Sequence, residues 1–292
     1  MNWFTKKEAS RKYIDLIRDA SSKWANWDPP KTIRAGDIGF VNRDSGEFER
    51  LGNIYRSQDM AQLGCDAELF ELVQSHPATV TPADEVYTIK SYNATQVGMN
   101  AGANALAPSV GKVGFSTAIN FDRHRGAFLV MHNPNMTVVP DELYRNETFA
   151  EKLFGKDKQL RIVTEVFTCD GYVLYLSNKK AESVEITLDI GTSSTAAASV
   201  DADLGATWNT KGGSGNFRKG YKKGAFTPLY HLKGLLPPRK RRRGDGGEGD
   251  DGDSLDDVEV PWNTLDSDGE QDSDEEEGGE DDDEEDPEDE DN

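Results

Sequence analysis

The chain carries 33 Lys and Arg against 54 Asp and Glu over 292 residues, a net charge of -21, and only 35% of it is hydrophobic. The imbalance is local: residues 244–292 hold 27 of the acids and no Lys or Arg, which leaves a body of net charge +6, long enough for one substantial core, joined to a polyanionic tail. Cys65 and Cys169 are the only cysteines, which excludes a disulfide scaffold and a CxxC zinc site. No run of about 18 apolar residues marks a spanning helix, and MNWFTKKEASRKY lacks an apolar h-region, so no signal peptide and a cytoplasmic setting are expected.

Residues 5–26 predict an amphipathic helix, with Tyr13, Leu16, Ile17, Ala20 and Trp24 at three- and four-residue spacing. Its cations Lys6, Lys7, Arg11, Lys12, Arg18 and Lys23 exceed Glu8, Asp15 and Asp19 by three. Such a helix suits packing on the body, and it equally suits resting on an anionic membrane surface. Asp28-Pro29-Pro30 stops it. Beyond lies an expected hairpin, 38–42 and 48–55 around Arg43-Asp44-Ser45-Gly46, then a short helix over 66–75 and an irregular link between Pro77 and Pro82. Residues 85–96 read as one strand and 99–109 as a loose linker. Over 110–121, Val113, Phe115, Thr117, Ile119 and Phe121 point one way and Lys112, Gly114, Ser116, Ala118 and Asn120 the other. AFLVMH (127–132) predicts a strand buried on both faces, and 141–154 a helix.

Residues 160–169 and 171–177 form the strongest strand run, with Asp170-Gly171 as a turn or bulge. Over 182–190, Val184, Ile186, Leu188 and Ile190 alternate with Glu185, Thr187 and Asp189. Residues 192–203 are small and polar, and 204–208 suggest a brief strand. Residues 211–243 hold eleven Lys and Arg and no acid, including Arg218, Lys219, Lys222 and Lys223, interleaved with Phe217, Tyr221, Phe226 and Tyr230. A solvated linker, a nucleic-acid or import signal centred on 239–243, and a surface for anionic lipid all fit that composition. The tail composition predicts disorder, with VEVPWNTL (258–265) as its one candidate docking segment. Opposite charges so close in sequence also place the tail as a guard over the basic surface.

No phosphate-binding loop, dinucleotide fingerprint, HExxH or G-x-S-x-G is present, and His76, His124, His132 and His231 match no ligand spacing. An enzyme, a cofactor, a metal and a small-molecule substrate are therefore not expected. Cys169 reads as a buried, inert thiol. The three N-x-Thr triplets at Asn93, Asn135 and Asn146 read as coincidence.

The basic N-terminal helix, WDPPKTIRAGDIG, VGKVGFSTAINFDRHRGAFLVM and LRIVTEVFTCDGYVLYLSNKKAESVEI, within residues 3–232, together resemble the pore-forming domain of gasdermins, and in particular its short fungal relatives that regulate cell death at allorecognition. The resemblance implies an α+β fold, a twisted mixed or antiparallel sheet flanked by helices, over residues 1–236, with 237–292 as basic linker and disordered acidic tail. It implies binding of acidic phospholipid through Lys6, Lys7, Arg11, Lys12, Arg18, Arg218, Lys219, Lys222 and Lys223. It implies movement from cytoplasm to plasma membrane, oligomerisation with itself or an allelic or related protein, and lytic cell death. Two hairpins, from 86–99 with 110–121 and from 160–177 with 182–190, would become barrel strands, with Val113, Phe115, Ile119, Phe121, Val184, Ile186 and Leu188 facing lipid. The chain departs from the best-known gasdermins in having about 50 residues where they carry a folded inhibitory domain. Two other readings compete: a nuclear, chromatin-associated module that meets nucleic acid or turns its acidic tail on basic partners such as histones, and a soluble α+β scaffold without a membrane role.

Overall fold

The computed structural model describes residues 6–82, 84–101, 112–122, 124–155, 157, 159–179, 181–190, 206–235 and 255–262. The fold is α+β, and every strand pairing is antiparallel. Helix α1 (Lys6–Ser21) ends five residues before the expected boundary. Ser21 turns its hydroxyl back onto the Ile17 carbonyl at 2.7 Å, and Ser22 takes a positive φ of 58°. The chain leaves the helix into a short strand, β1 (Trp24–Ala25). The hairpin of β2 (Asp37–Val41) and β3 (Phe48–Asn53) forms as the turn signal predicts. Helix α2 (Ser57–Gln62) has no apolar stripe long enough to announce it. Helix α3 (Ala67–Gln74) begins where Asp66 caps the Leu69 amide at 2.8 Å. The link between Pro77 and Pro82 is in fact an edge strand, β4 (Thr79–Pro82).

The expected single strand over 85–96 is two strands in different sheets. Strand β5 (Val86–Lys90) belongs to the main sheet and β6 (Ala94–Ala101) to a second one. The break between them is built from polar side chains. Asn93 donates to the carbonyls of His124 and Arg125 at 3.0 and 2.9 Å, and the Ser91 hydroxyl accepts from the Ala127 amide at 3.1 Å. These bonds turn the chain out of one sheet and into the other. Strand β7 (Lys112–Phe121) returns beside β6. Strand β8 (Ala127–His132) is buried throughout, as AFLVMH predicts, and β9 (Asn135–Val138) follows. The helix expected over 141–154 is split into α4 (Asp141–Tyr144) and α5 (Glu147–Phe154), because Asn146 stops the first and caps the second through the Phe149 amide at 3.1 Å.

Strand β10 (Arg161–Leu176) is the spine of the main sheet. Asp170-Gly171 makes no turn in it; the register slips there as a bulge, and a Cβ on Gly171 would come within 2.5 Å of the Tyr221 ring. Strand β11 (Ser183–Ile190) and strand β12 (Ala206–Gly212) join the second sheet. Residues 211–243 look like linker in composition, yet 216–235 form the longest strand of the fold, β13 (Asn216–Leu235). It runs the length of β10 on one side. On its other side β10 meets β2, β9 and β8 in turn. The last described element, β14 (Leu255–Asp257), pairs with the end of β13.

Two cores share the main sheet. One lies under α1, α3 and α5 and includes Tyr13, Ile17, Leu129, Met131, Phe149 and Leu174. The other lies between the main sheet and the second sheet, where Phe128, Val130, Val173 and Tyr175 meet Phe115, Ile119, Phe121 and Ile186. Neighbouring residues of β8 and β10 thus serve opposite cores, which is why both strands read as continuous apolar runs.

Candidate membrane-insertion sheet and basic surface

The second sheet has the order β12-β11-β7-β6. It consists of two hairpins, β6 with β7 and β11 with β12, joined by the pairing of β7 with β11. Residues 102–111 and 191–205 connect the strands within each hairpin and lie outside the described residues. The second hairpin therefore differs from the expected one. β10 stays in the main sheet, and the partner of β11 is β12, which the sequence announced only as a brief strand over 204–208.

The register puts like with like. Phe115 stands opposite Leu188, Thr117 opposite Ile186, and Ile119 opposite Val184. Leu188 in turn faces Trp208. All of these and Phe121 are buried against the main sheet. The other face, apart from Ala118 and exposed Val97, is polar and laced across the strands: Ser183 donates to Asn120 and Asn209 to Asp189, both at 2.6 Å, and Lys211 lies 3.8 Å from Glu185. The hydroxyl of Thr117, the one polar group in the buried stripe of β7, accepts from Gln96 at 3.1 Å within the same sheet. The side chain of Val113 lies outside the description.

Two sets of bonds fasten this sheet to the body. At the start of β11, one carboxylate oxygen of Glu182 accepts from Tyr175 at 2.6 Å and Ser177 at 2.7 Å, and the other accepts from the Ser214 amide at 2.9 Å and the Ser214 hydroxyl. Burial raises the Glu182 pKa, but the bonds from Ser214, Tyr175 and Ser177 outweigh it and hold the carboxyl below its ordinary range. At the β12 edge, the Trp208 indole donates to the Gly220 carbonyl at 3.1 Å, and Lys219 donates to the Trp208 carbonyl at 2.8 Å. Neither Glu182 nor Trp208 stood out in the sequence, since each acts through partners remote along the chain.

The candidate cations are not one surface. Lys12, expected to contact headgroups, is buried at 5% exposure within α1. Arg11 donates to the Arg43 carbonyl at 3.5 Å. Arg18 donates to the Val258 carbonyl at 2.8 Å and lies 5.6 Å from the Trp24 ring. Arg218 stacks 4.7 Å over Trp27 and donates to its carbonyl at 3.0 Å. Lys222 and Lys223 are exposed at the bend of β13. The side chains of Lys6 and Lys7, and the whole run 239–243, lie outside the described residues. In this arrangement Lys12 is buried, Arg18, Arg218 and the exposed Lys219 bond backbone carbonyls, and Lys222 and Lys223 face solvent.

Among the described residues no group of His, Cys, Asp and Glu could hold a metal ion, and no helix is long and apolar enough to cross a membrane. No protein-family model matches the chain, and no curated protein matches it. Among solved structures, the cryo-EM structure of the gasdermin A3 membrane pore aligns with 11% identity over 86% of this chain and 94% of that one, at a TM-score of 0.26.

Proposed function

We propose that this chain is a non-enzymatic pore former of the gasdermin type. On an acidic phospholipid surface the second sheet leaves the body, and several copies close their sheets into a β-barrel. The observation that carries this reading is the second sheet itself: two joined hairpins with one apolar face, one polar face, and their internal hydroxyl satisfied within the sheet. A strand crosses a bilayer with about 9–11 residues, and a barrel leaves no edge unpaired. β7 has ten residues, β6 and β11 have eight each, and β12 has seven. The sequence resemblance supports the same reading. The finer version, a short fungal cell-death regulator that moves to the plasma membrane and acts with an allelic or related partner, rests on that resemblance alone.

Dye release from liposomes tests it. Vesicles containing cardiolipin or phosphoinositide should leak, and neutral ones should not. If neither the full chain nor protein cut between 236 and 254 releases dye from acidic vesicles, the reading fails.

A further inference from the structure

Residues 255–262 are folded onto the body, although 236–254 before them and 263–292 after them lie outside the description. This short stretch makes three kinds of contact. Its backbone extends the main sheet, with Leu255 opposite Leu235 and Asp257 opposite Lys233. Its Asp257 carboxylate accepts from Lys233 at 2.9 Å and sits 3.2 Å from His231 Nε2. Its Trp262 packs edge-on against Trp24, with centroids 5.9 Å apart, and donates its indole N–H to Asp15 at 3.0 Å. Between these anchors the Val258 carbonyl accepts from Arg18. Leu255, Val258 and Trp262 are all buried, while Asp256 and Glu259 face outward.

We infer that the groove between α1 and the end of β13 is a docking site for an extended acidic peptide ending in tryptophan, and that residues 255–262 are its ligand, held in cis but exchangeable. The recognition is strand addition plus an aromatic anchor: ladder bonds to β13 set the register, Asp257 reads Lys233 and His231, and Trp262 fills the space beside Trp24. Leu255, Val258 and Trp262 join the edge of the main core, and an open cleft of about 280 Å³ lies beside them, lined by Arg18, Asp19, Ser22, Trp24, His231 and Asp257 among others. Burial of three apolar side chains does not by itself offset the ordering entropy of eight residues, so the ladder bonds, the Asp257 pairs and the Trp262 indole bond supply the rest. Occupancy is then sustained by the high effective concentration that the 236–254 connection confers. This inference goes beyond the pore reading and needs no membrane.

The test uses the full chain with a site-specific protease sequence inserted within 244–250. After cleavage, a fluorescein-labelled peptide of residues 251–265 is titrated by anisotropy. It should bind saturably and be displaced by unlabelled peptide. The Trp262→Ala peptide should bind at least about 30-fold more weakly. The variants lie in the peptide, so the body is unaltered. The inference is overturned if the labelled peptide does not bind, or if the Trp262→Ala peptide or a scrambled peptide of equal charge binds as well as the native one, since that is general polyanion attraction. Because no lipid is present, this outcome is independent of liposome leakage.

Discussion

Replacing Glu182 with Gln should loosen the second sheet from the body. One Glu182 oxygen accepts from the Ser214 amide, which cannot reverse its role, so the Gln carbonyl must take that side. The new NH2 then faces Tyr175 and Ser177. The Tyr175 hydroxyl already accepts from the Gly215 amide at 2.9 Å, so it loses its own acceptor. Hydrogen bonds to a charged group contribute about 1.5–3 kcal/mol each. Two are lost or weakened here at a partly exposed site, and solvent screening reduces their worth, so the expected destabilisation is about 2 kcal/mol at neutral pH. The pH dependence gives an independent check. The folded pKa of Glu182 is lowered, so its contribution is complete above the ordinary Glu value of about 4.3 and is lost as pH falls through the lowered folded value. Urea unfolding of wild type and Glu182→Gln should therefore differ at pH 7 and converge in acid. Hydrogen exchange should locate the change at 183–190. A gap below about 0.5 kcal/mol at pH 7, or one that persists unchanged at pH 3, would refute the assignment of Glu182 as the fastening.

The cations should separate by role. Arg218→Ala should destabilise the fold by about 1–2 kcal/mol, since it removes a cation–π contact and a bond to the Trp27 carbonyl, read by thermal unfolding. Lys222→Ala with Lys223→Ala should leave unfolding unchanged but weaken sedimentation with acidic vesicles at low salt by roughly tenfold or more. The two thiols should differ as well. Burial and the neighbouring Asp170 push the Cys169 thiol well above its ordinary pKa, so a thiol reagent should modify half-buried Cys65 in the folded protein and Cys169 only on unfolding.

What the sequence disclosed about this fold depended on how local the cause was. The alternation over 110–121 and 182–190 is a property of each strand alone, and strands form within those spans, at Lys112–Phe121 and Ser183–Ile190. AFLVMH discloses its double burial because both neighbours are apolar layers. Errors arise where a remote partner decides. Residues 85–96 alternate without interruption, and only the carbonyls of His124 and Arg125, some thirty residues on, make Asn93 a break. Residues 216–235 carry their cations on a strand that β10 recruits along its full length, so charge density disguised a ladder element. Lys12 and Arg18 are six residues apart, which places them about 120° apart around the helix, and periodicity alone assigns neither to solvent. It does not say that the body would bury Lys12 or that residues 255–262 would engage Arg18.

The same distinction between local and remote bonds bears on how the second sheet would move. Its backbone ladder, the Gln96–Thr117 bond and the cross-strand pairs on its polar face are internal, so they travel with it. Among the described residues its large buried apolar side chains, Phe115, Ile119, Phe121, Val184, Ile186, Leu188 and Trp208, represent roughly 10–20 kcal/mol of transfer free energy. In water that is a prohibitive cost of release, and in hydrocarbon it is largely returned. What is not returned is the set of bonds to the body: Glu182 with Tyr175 and Ser177, Trp208 with Gly220, and Lys219 with the Trp208 carbonyl. These few links lie at the Glu182 end of β11 and along the β12 edge. Substitutions at Glu182 or Trp208 should therefore change the rate at which the sheet is released, whereas substitutions on its polar face should change the conductance of what it forms.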